Sequence, residues 1–228
     1  MSQSDSFIDE VTDEVRRDRL FATFRKYGWI GAALVVLIVG GAAWYEYRRS
    51  VETAQAEAFG DAMMTALEQG EPAERATALE SVTADTPDAG AVRDMLRAAE
   101  MAEAGDTEGA AALLNQIAGE ASLPVIYRSL AKFRAIGLQS ATLSPAEQRA
   151  AYEEIAAAGN PLRLLAEEQI AMTYVDEGKP EEALTQLQAL QDEAGVSPDL
   201  QRRISQLIVV LGGQPGGAEA ADKTKIDG

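Results

Sequence analysis

Three pairs of adjacent glutamates are the residues in this sequence that could take part in chemistry: Glu153-Glu154, Glu167-Glu168 and Glu181-Glu182. Two carboxylates can act together in general acid–base catalysis. Adjacent residues on a helix, however, project about 100° apart, and each pair stands in a polar stretch typical of a solvated helix face. We therefore predict no catalytic residues and a protein that is not an enzyme, with catalysis by carboxylates alone as the enzymatic alternative.

The sequence contains no cysteine and no histidine. It therefore has no disulfide, no thiolate or imidazole metal ligand, and no catalytic arrangement that depends on histidine. No P-loop, dinucleotide-binding glycine motif or EF-hand pattern is present. We predict no metal, no cofactor and no small-molecule substrate. The net charge of −17 argues against nucleic acid, which needs a basic surface, and against docking of the main domain on anionic lipid.

One segment, at residues 27–47, is apolar enough and long enough to cross a membrane. The 17 residues from Trp29 to Tyr45 carry no charge, and the flanking aromatic residues extend the segment to about 20, the length that spans hydrocarbon about 30 Å thick. Aromatic rings favour the headgroup level, and they stand at both ends, as Tyr27, Trp29, Trp44, Tyr45 and Tyr47. We predict a transmembrane helix over residues 27–47 that contacts the lipid bilayer.

Basic residues near this segment predict its orientation. Five precede it (Arg16, Arg17, Arg19, Arg25 and Lys26), and two follow it (Arg48 and Arg49). Because the more basic flank stays in the cytoplasm, residues 1–26 are expected to form a cytoplasmic stub and the rest of the chain to be translocated. The stub is expected to be helical, with Phe7, Val11 and Val15 on one stripe that either docks on a partner or membrane surface, or merely continues the span in solvent.

Two other interpretations of the apolar segment stay open. It could be the core helix of a soluble protein, or a cleaved signal peptide for which Gly41 and Ala43 supply the small residues of a cleavage site. The six acidic residues in the preceding stub are unusual for a signal peptide. Gly28 and Ala32 have the spacing that lets two helices approach closely in lipid, although such pairs also occur by chance.

Beyond Arg49 the apolar residues recur with a helical period, and no stretch alternates like a strand. Proline and glycine divide the region into pieces of helical length, so residues 48–211 are predicted to form an all-α domain. Several helices are expected to start with a capping residue and a proline, as at Ser144-Pro145 and Asn160-Pro161. The glycine-rich residues 212–228 are predicted to form a disordered tail.

Two stretches of this domain resemble each other at an offset of 73 residues: Gly105, Ala110, Leu114 and Ile117 correspond to Gly178, Ala183, Leu187 and Leu190. Half of this offset is close to the 34-residue period of tetratricopeptide repeats. We expect Gly178 to end a helix in the left-handed conformation, and Ala171 and Tyr174 to face Leu187 and Leu190. Each helical hairpin leaves an apolar face uncovered, so neighbouring hairpins are expected to stack into a solenoid.

Residues 171–190 resemble a tetratricopeptide repeat in four positions: Ala171, Tyr174, Ala183 and Leu187. The earlier copy departs from that pattern at Met101, where tyrosine is usual. Residues 123–158 match the family loosely, and residues 50–82 hardly match it.

The order of parts is similar to that of the ancillary subunit of the bacterial SecYEG translocon (the YfgM type). Phe24 to Gly28, the glycine-bearing span to Trp44 and the helices that follow carry this resemblance. It implies a place beside the translocon in the inner membrane and contact with periplasmic chaperones. No residue here matches a functional position of that family. We therefore expect a tethered interaction scaffold with a concave binding surface, or alternatively an adaptor or structural subunit of another envelope complex, whose span and stub make the main contacts.

Overall fold

The structure, a computed structural model, describes the backbone of residues 4–215 and the side chains of residues 29–31 and 33–215. Within this part of the chain all regular structure is helical, as the sequence predicted, and there is no strand. The helices are α1 (Ser4–Leu67), α2 (Pro72–Ser81), α3 (Pro87–Glu103), α4 (Thr107–Gly119), α5 (Val125–Leu138), α6 (Pro145–Ile155), α7 (Arg163–Asp176), α8 (Pro180–Gln191) and α9 (Pro198–Val210).

Helix α1 contains a segment, within Trp29–Leu67, that is long and apolar enough to cross a membrane by its length and composition. None of its most apolar window is buried inside the protein; Leu37, for example, is 73% exposed. A core helix of a soluble protein would have its apolar side chains covered, so this exposure argues against that interpretation. The predicted stripe on the stub and the Gly28–Ala32 pair lie outside the described side chains.

Contacts divide the chain into two units, Met1–Ala58 and Phe59–Gly228. In the second unit, helices pack mainly against their neighbours in sequence. Four apolar clusters follow one another along the unit, and each contains a large side chain removed from solvent: Leu79, Leu114, Ile155 and Leu187. The second cluster joins α3, α4 and α5, the third joins α5, α6 and α7, and the fourth joins α7, α8 and α9.

Proline marks the first residue of five helices: α2, α3, α6, α8 and α9. Proline suits this position because the first helical amide has no partner inside the helix. Ser144 also caps α6 as predicted: its hydroxyl accepts from the Glu147 amide, and the Glu147 carboxylate accepts from the Ser144 amide at 2.9 Å.

The predicted helix start at Asn160-Pro161 is wrong, because α7 begins at Arg163. The Asn160 side chain is used elsewhere. Its oxygen accepts from the amide of Leu162 at 2.9 Å, and its nitrogen donates to the hydroxyl of Ser129 on α5 at 2.9 Å. Asn160 therefore forms a tight turn and a link between helices instead of a helix cap.

The 73-residue repeat extends further than the sequence indicated. Helices α2 to α5 recur as α6 to α9, with Pro72 and Val125 shifting onto Pro145 and Pro198 as first residues. The turn after the second helix of each copy is also shared: Gly105 and Gly178 have φ of 92° and 73°. The left-handed conformation predicted for Gly178 is thus confirmed, and Gly105 adopts it as well.

The hairpin contacts of α7 and α8 agree with the prediction in part. Ala171, Leu187 and Leu190 are buried in one cluster, as expected. Tyr174 was expected to join them, and that prediction is wrong. Its ring packs on the other side of α7, against the cluster that contains Tyr152, where the guanidinium of Arg149 on α6 lies over it.

The start of the predicted tail belongs to the folded unit. Gly212, with φ of 84°, and Gly213 close the last turn of α9, and the amide of Gly213 donates to the Ile208 carbonyl at 2.8 Å. A Cβ on Gly213 would lie 2.7 Å from Leu184, so the chain passes closely over α8 here. Residues 216–228 lie outside the described residues.

Candidate functional site

The three glutamate pairs do not form a common site. Glu154 pairs with Lys132, and Glu167 pairs with Arg163 at 2.5 Å. Glu181 and Glu182 are exposed in the first turn of α8, as predicted for a solvated face. Within the described residues no group of three acidic side chains is arranged to hold a metal ion.

Glu168 departs from the predicted solvated face, because it is only 4% exposed. Both of its carboxylate oxygens accept hydrogen bonds from Arg203 on α9, at 2.8 and 2.5 Å. A buried carboxylate needs such a partner to offset its lost hydration. The pair links α7 to α9 and engages both oxygens of the Glu168 carboxylate.

Two further arginines link consecutive helices, one in each copy. Arg75 on α2 donates to Glu100 and Glu103 on α3, at 2.6 and 3.2 Å. Arg149 on α6 contacts Glu177 at the end of α7, at 2.8 Å. Hydrogen bonds from Arg149 and then Lys179 lower the pKa of the Glu177 carboxyl. These pairs hold consecutive helices together and therefore have a structural role.

A groove of about 320 Å³ lies between α3 and α5, over α4. We call it the α3–α5 groove. The α3 wall is one helix face of small or flexible residues (Met95, Ala98, Ala99 and Ala102), Leu114 of α4 also lines the groove, and the α5 wall contains Arg134, Gly137 and Leu138. Alanine and glycine walls let another backbone approach closely. The groove is thus apolar, with one basic side chain.

Arg134 is the charged group of the α3–α5 groove. It is exposed and forms no ion pair or hydrogen bond with the described part of the chain. Between residues 59 and 215 every other basic residue except Arg128 pairs with a carboxylate: Arg75, Arg93, Arg97, Lys132, Arg149, Arg163, Lys179, Arg202 and Arg203. Arg134 therefore remains available to a group from outside the chain.

A second cavity, of about 380 Å³, lies beside α3, α4 and the connection to α5. Its two carboxylates already have partners. Asp94 accepts from Arg93 at 2.8 Å, and Glu120 accepts from the hydroxyl and amide of Ser122, which lower the pKa of the Glu120 carboxyl. With its charged groups engaged, this cavity has less capacity to bind a charged ligand than the α3–α5 groove.

Comparison with protein-family models, with curated proteins and with solved structures finds no match to this chain.

The α3–α5 groove was not identified from the sequence. A comparison of the two copies gives a signal that could have found it. Positions 99, 102 and 137 of the first copy are Ala99, Ala102 and Gly137; the residues 73 positions later are Met172, Val175 and Val210. Small side chains in the first copy only are what a groove in that copy requires.

Proposed function

We propose that this chain is a membrane-anchored scaffold for protein–protein interaction, without enzymatic activity. Residues 27–47 cross the bilayer once, with the N-terminus in the cytoplasm. The helices after them form a tetratricopeptide-like solenoid on the far side, and the α3–α5 groove holds a segment of a partner protein. The observation that carries this proposal is the combination of an uncovered apolar segment in α1 with an open, apolar groove in the second unit, Phe59–Gly228, which we call the helical unit.

The cellular place of the protein follows from its resemblance to the ancillary translocon subunit. In a Gram-negative cell the span lies in the inner membrane and the helical unit in the periplasm. The protein then connects the SecYEG translocon with periplasmic chaperones. The acidic surface, with a net charge of −17, supports a soluble unit that does not lie on anionic lipid.

An alternative within the same class is that the protein is an adaptor or structural subunit of another envelope complex, bound mainly through its span and stub. The observation in favour of it is the apolar surface of α1, where Trp29, Leu37 and Trp44 are all more than half exposed. In this case the helical unit acts as a spacer, and changes in the α3–α5 groove leave the complex intact.

A topology experiment tests the anchor. Protease added outside spheroplasts should digest the helical unit, while a tag at the N-terminus stays protected until the membrane is opened. Mature protein that is soluble and begins near Ala43 would show that the segment is a cleaved signal peptide. A helical unit that resists protease until lysis would show that the orientation is wrong.

Photo-crosslinking in cells distinguishes binding of a partner in the α3–α5 groove from binding through the span and stub. A crosslinker at Leu138, beside the α3–α5 groove, should recover a protein partner, and Gly137→Gln should reduce that product because the longer side chain fills the groove. The Cβ of a residue at 137 meets no atom within 4 Å, so this change is compatible with the fold. Replacing the span with an unrelated one should abolish the complex only under the alternative. Recovery of no translocation component by mass spectrometry would contradict the translocon assignment.

A further inference from the structure

We propose that the α3–α5 groove binds an apolar protein segment that carries a carboxylate, and that Arg134 holds this carboxylate. The inference rests on the proposed function and specifies the chemistry of the partner. The occupant is a polypeptide with small or medium apolar side chains beside an aspartate, a glutamate or a free carboxyl terminus.

The apolar walls of the α3–α5 groove indicate that the partner segment is itself apolar. Ala98 and Leu114 are almost fully buried at its base, and Ala99 and Ala102 line the open side. These side chains offer contact surface and no hydrogen-bonding groups. Burial of apolar surface therefore supplies the attraction, at about 25 cal/mol for each Å² removed from water. The volume of about 320 Å³ admits a few side chains and not a whole domain.

The charge balance of the helical unit indicates that the partner segment carries a carboxylate. Almost every basic group in it is paired within the chain, whereas Arg134 is exposed and has no partner among the described residues. A guanidinium accepts no hydrogen bonds and matches a carboxylate with two parallel donors. Because the rest of the chain is strongly acidic, an anionic group finds little other attraction on this surface. Charge complementarity therefore places the carboxylate beside Arg134.

The second copy of the repeat shows that this combination is not a general feature of the helices. At the positions equivalent to Arg134 and Gly137, 73 residues later, stand Leu207 and Val210. Both the cation and the small residue are thus absent from the corresponding place. We assign the carboxylate-binding site to the first copy alone.

The test uses the full chain in nanodiscs of zwitterionic lipid. A phage library of random dodecapeptides is selected on these nanodiscs after removal of phage that bind empty nanodiscs. The enriched peptides are then synthesised with a fluorescent label, and their affinities are measured by anisotropy. Two substitutions address the site, Arg134→Gln for the charge and Gly137→Gln for the space. Their matched controls are Arg202→Gln, an exposed arginine on α9, and Gly60→Gln, an exposed glycine inside α1 with open space around its Cβ.

The expected peptides contain an acidic residue next to apolar ones. Arg134→Gln should weaken their binding about tenfold, the size of one charge-assisted hydrogen bond. Arg134→Lys should restore part of the affinity, and added salt should weaken binding to the wild type more than to Arg134→Gln. Both controls should bind as the wild type does. Circular dichroism of each variant checks that the helices are retained.

The outcomes separate this inference from the proposed function. Peptides that lose affinity with Gly137→Gln but bind Arg134→Gln as tightly as the wild type would overturn the carboxylate assignment and leave the groove as a binding site. If no peptide is enriched, or if none distinguishes the wild type from Gly137→Gln, both proposals for the groove are wrong.

Discussion

The guanidinium of Arg149 lies 4.5 Å from the centre of the Tyr174 ring. The same guanidinium contacts the carboxylate of Glu177 at 2.8 Å. Arg149 is on α6, whereas its partners lie on and just after α7, so one side chain joins two helices by a cation–π contact and an ion pair. In the first copy Arg75 links α2 to α3 by an ion pair with Glu100.

We predict that Arg149→Met lowers the thermal midpoint of the full chain by about 3 °C or more. The substitution keeps an apolar stem over Tyr174 but removes the ion pair, so Glu177 retains only Lys179 as a partner. Thermal unfolding followed by circular dichroism measures the effect. Arg202→Met is the control, because the Arg202–Asp199 pair is largely exposed and such pairs contribute little. Equal midpoints for the two variants would contradict the prediction.

The stabilisation by Glu177 should depend on pH. Hydrogen bonds from Arg149 and Lys179 lower its pKa below the ordinary value of 4.5. The unfolded chain has the ordinary pKa, so the ionised carboxylate stabilises the fold above pH 4.5, and this stabilisation is lost as the pH falls below 4.5 through the lowered pKa.

We therefore predict that Glu177→Gln unfolds at a lower temperature than the wild type at about pH 7, and that the difference shrinks at about pH 3. Thermal unfolding at both pH values tests this. Glu57→Gln, in an exposed part of α1, should match the wild type at both. A difference between Glu177→Gln and the wild type that is the same at both pH values would show that the carboxylate charge is not involved.

Arg128 has an Nε atom that is enclosed and has no hydrogen-bond partner. Burying a donor without a partner opposes folding. We predict that Arg128→Met raises the free energy of unfolding by about 1 kcal/mol, measured by urea denaturation. Arg134→Met removes the same charge from the same helix at an exposed position, and it should leave the free energy of unfolding unchanged. A loss of stability in Arg128→Met would contradict this reading of its environment.

The two equivalent turns should respond alike to substitution. Gly105 and Gly178 have positive φ, and a Cβ at either position meets no atom within 4 Å. Strain of the backbone is thus the main effect, and we predict that Gly105→Ala and Gly178→Ala each lower the free energy of unfolding by about 1 kcal/mol. Gly119→Ala, at the end of α4 with ordinary φ and open space, should not destabilise. Urea denaturation of the three variants provides the comparison.

Much of the helix order could be predicted because it depends on local chemistry. Proline has a fixed φ and no amide hydrogen, so Pro145, preceded by the capping residue Ser144, indicated the start of α6 from local chemistry alone. Gly178 indicated a helix end for a similarly local reason. The start of α7 was missed because Asn160 uses its side chain for a contact with Ser129, 31 residues earlier, which no local pattern contains.

The availability of Arg134 in the α3–α5 groove could not be predicted for the same reason, although comparison of the two copies could have found the small residues of its walls. Whether Arg134 has an ion-pair partner depends on where the carboxylates of other helices lie, and among the described residues none pairs with it. The burial of Glu168 likewise depends on Arg203, 35 residues later. Ion pairing is decided by tertiary packing, whereas the sequence pattern records only which helix face is polar.

The face of α5 that meets the next copy carries Phe133, whose ring lies 5.4 Å from that of Tyr152 on α6. At the corresponding position of α9, 73 residues later, stands Gln206, which is exposed. Helix α9 therefore lacks, at this position, the aromatic ring through which α5 contacts the helix that follows it. We expect Gln206→Phe to place an exposed aromatic ring on α9 and so to promote association of neighbouring molecules through this face.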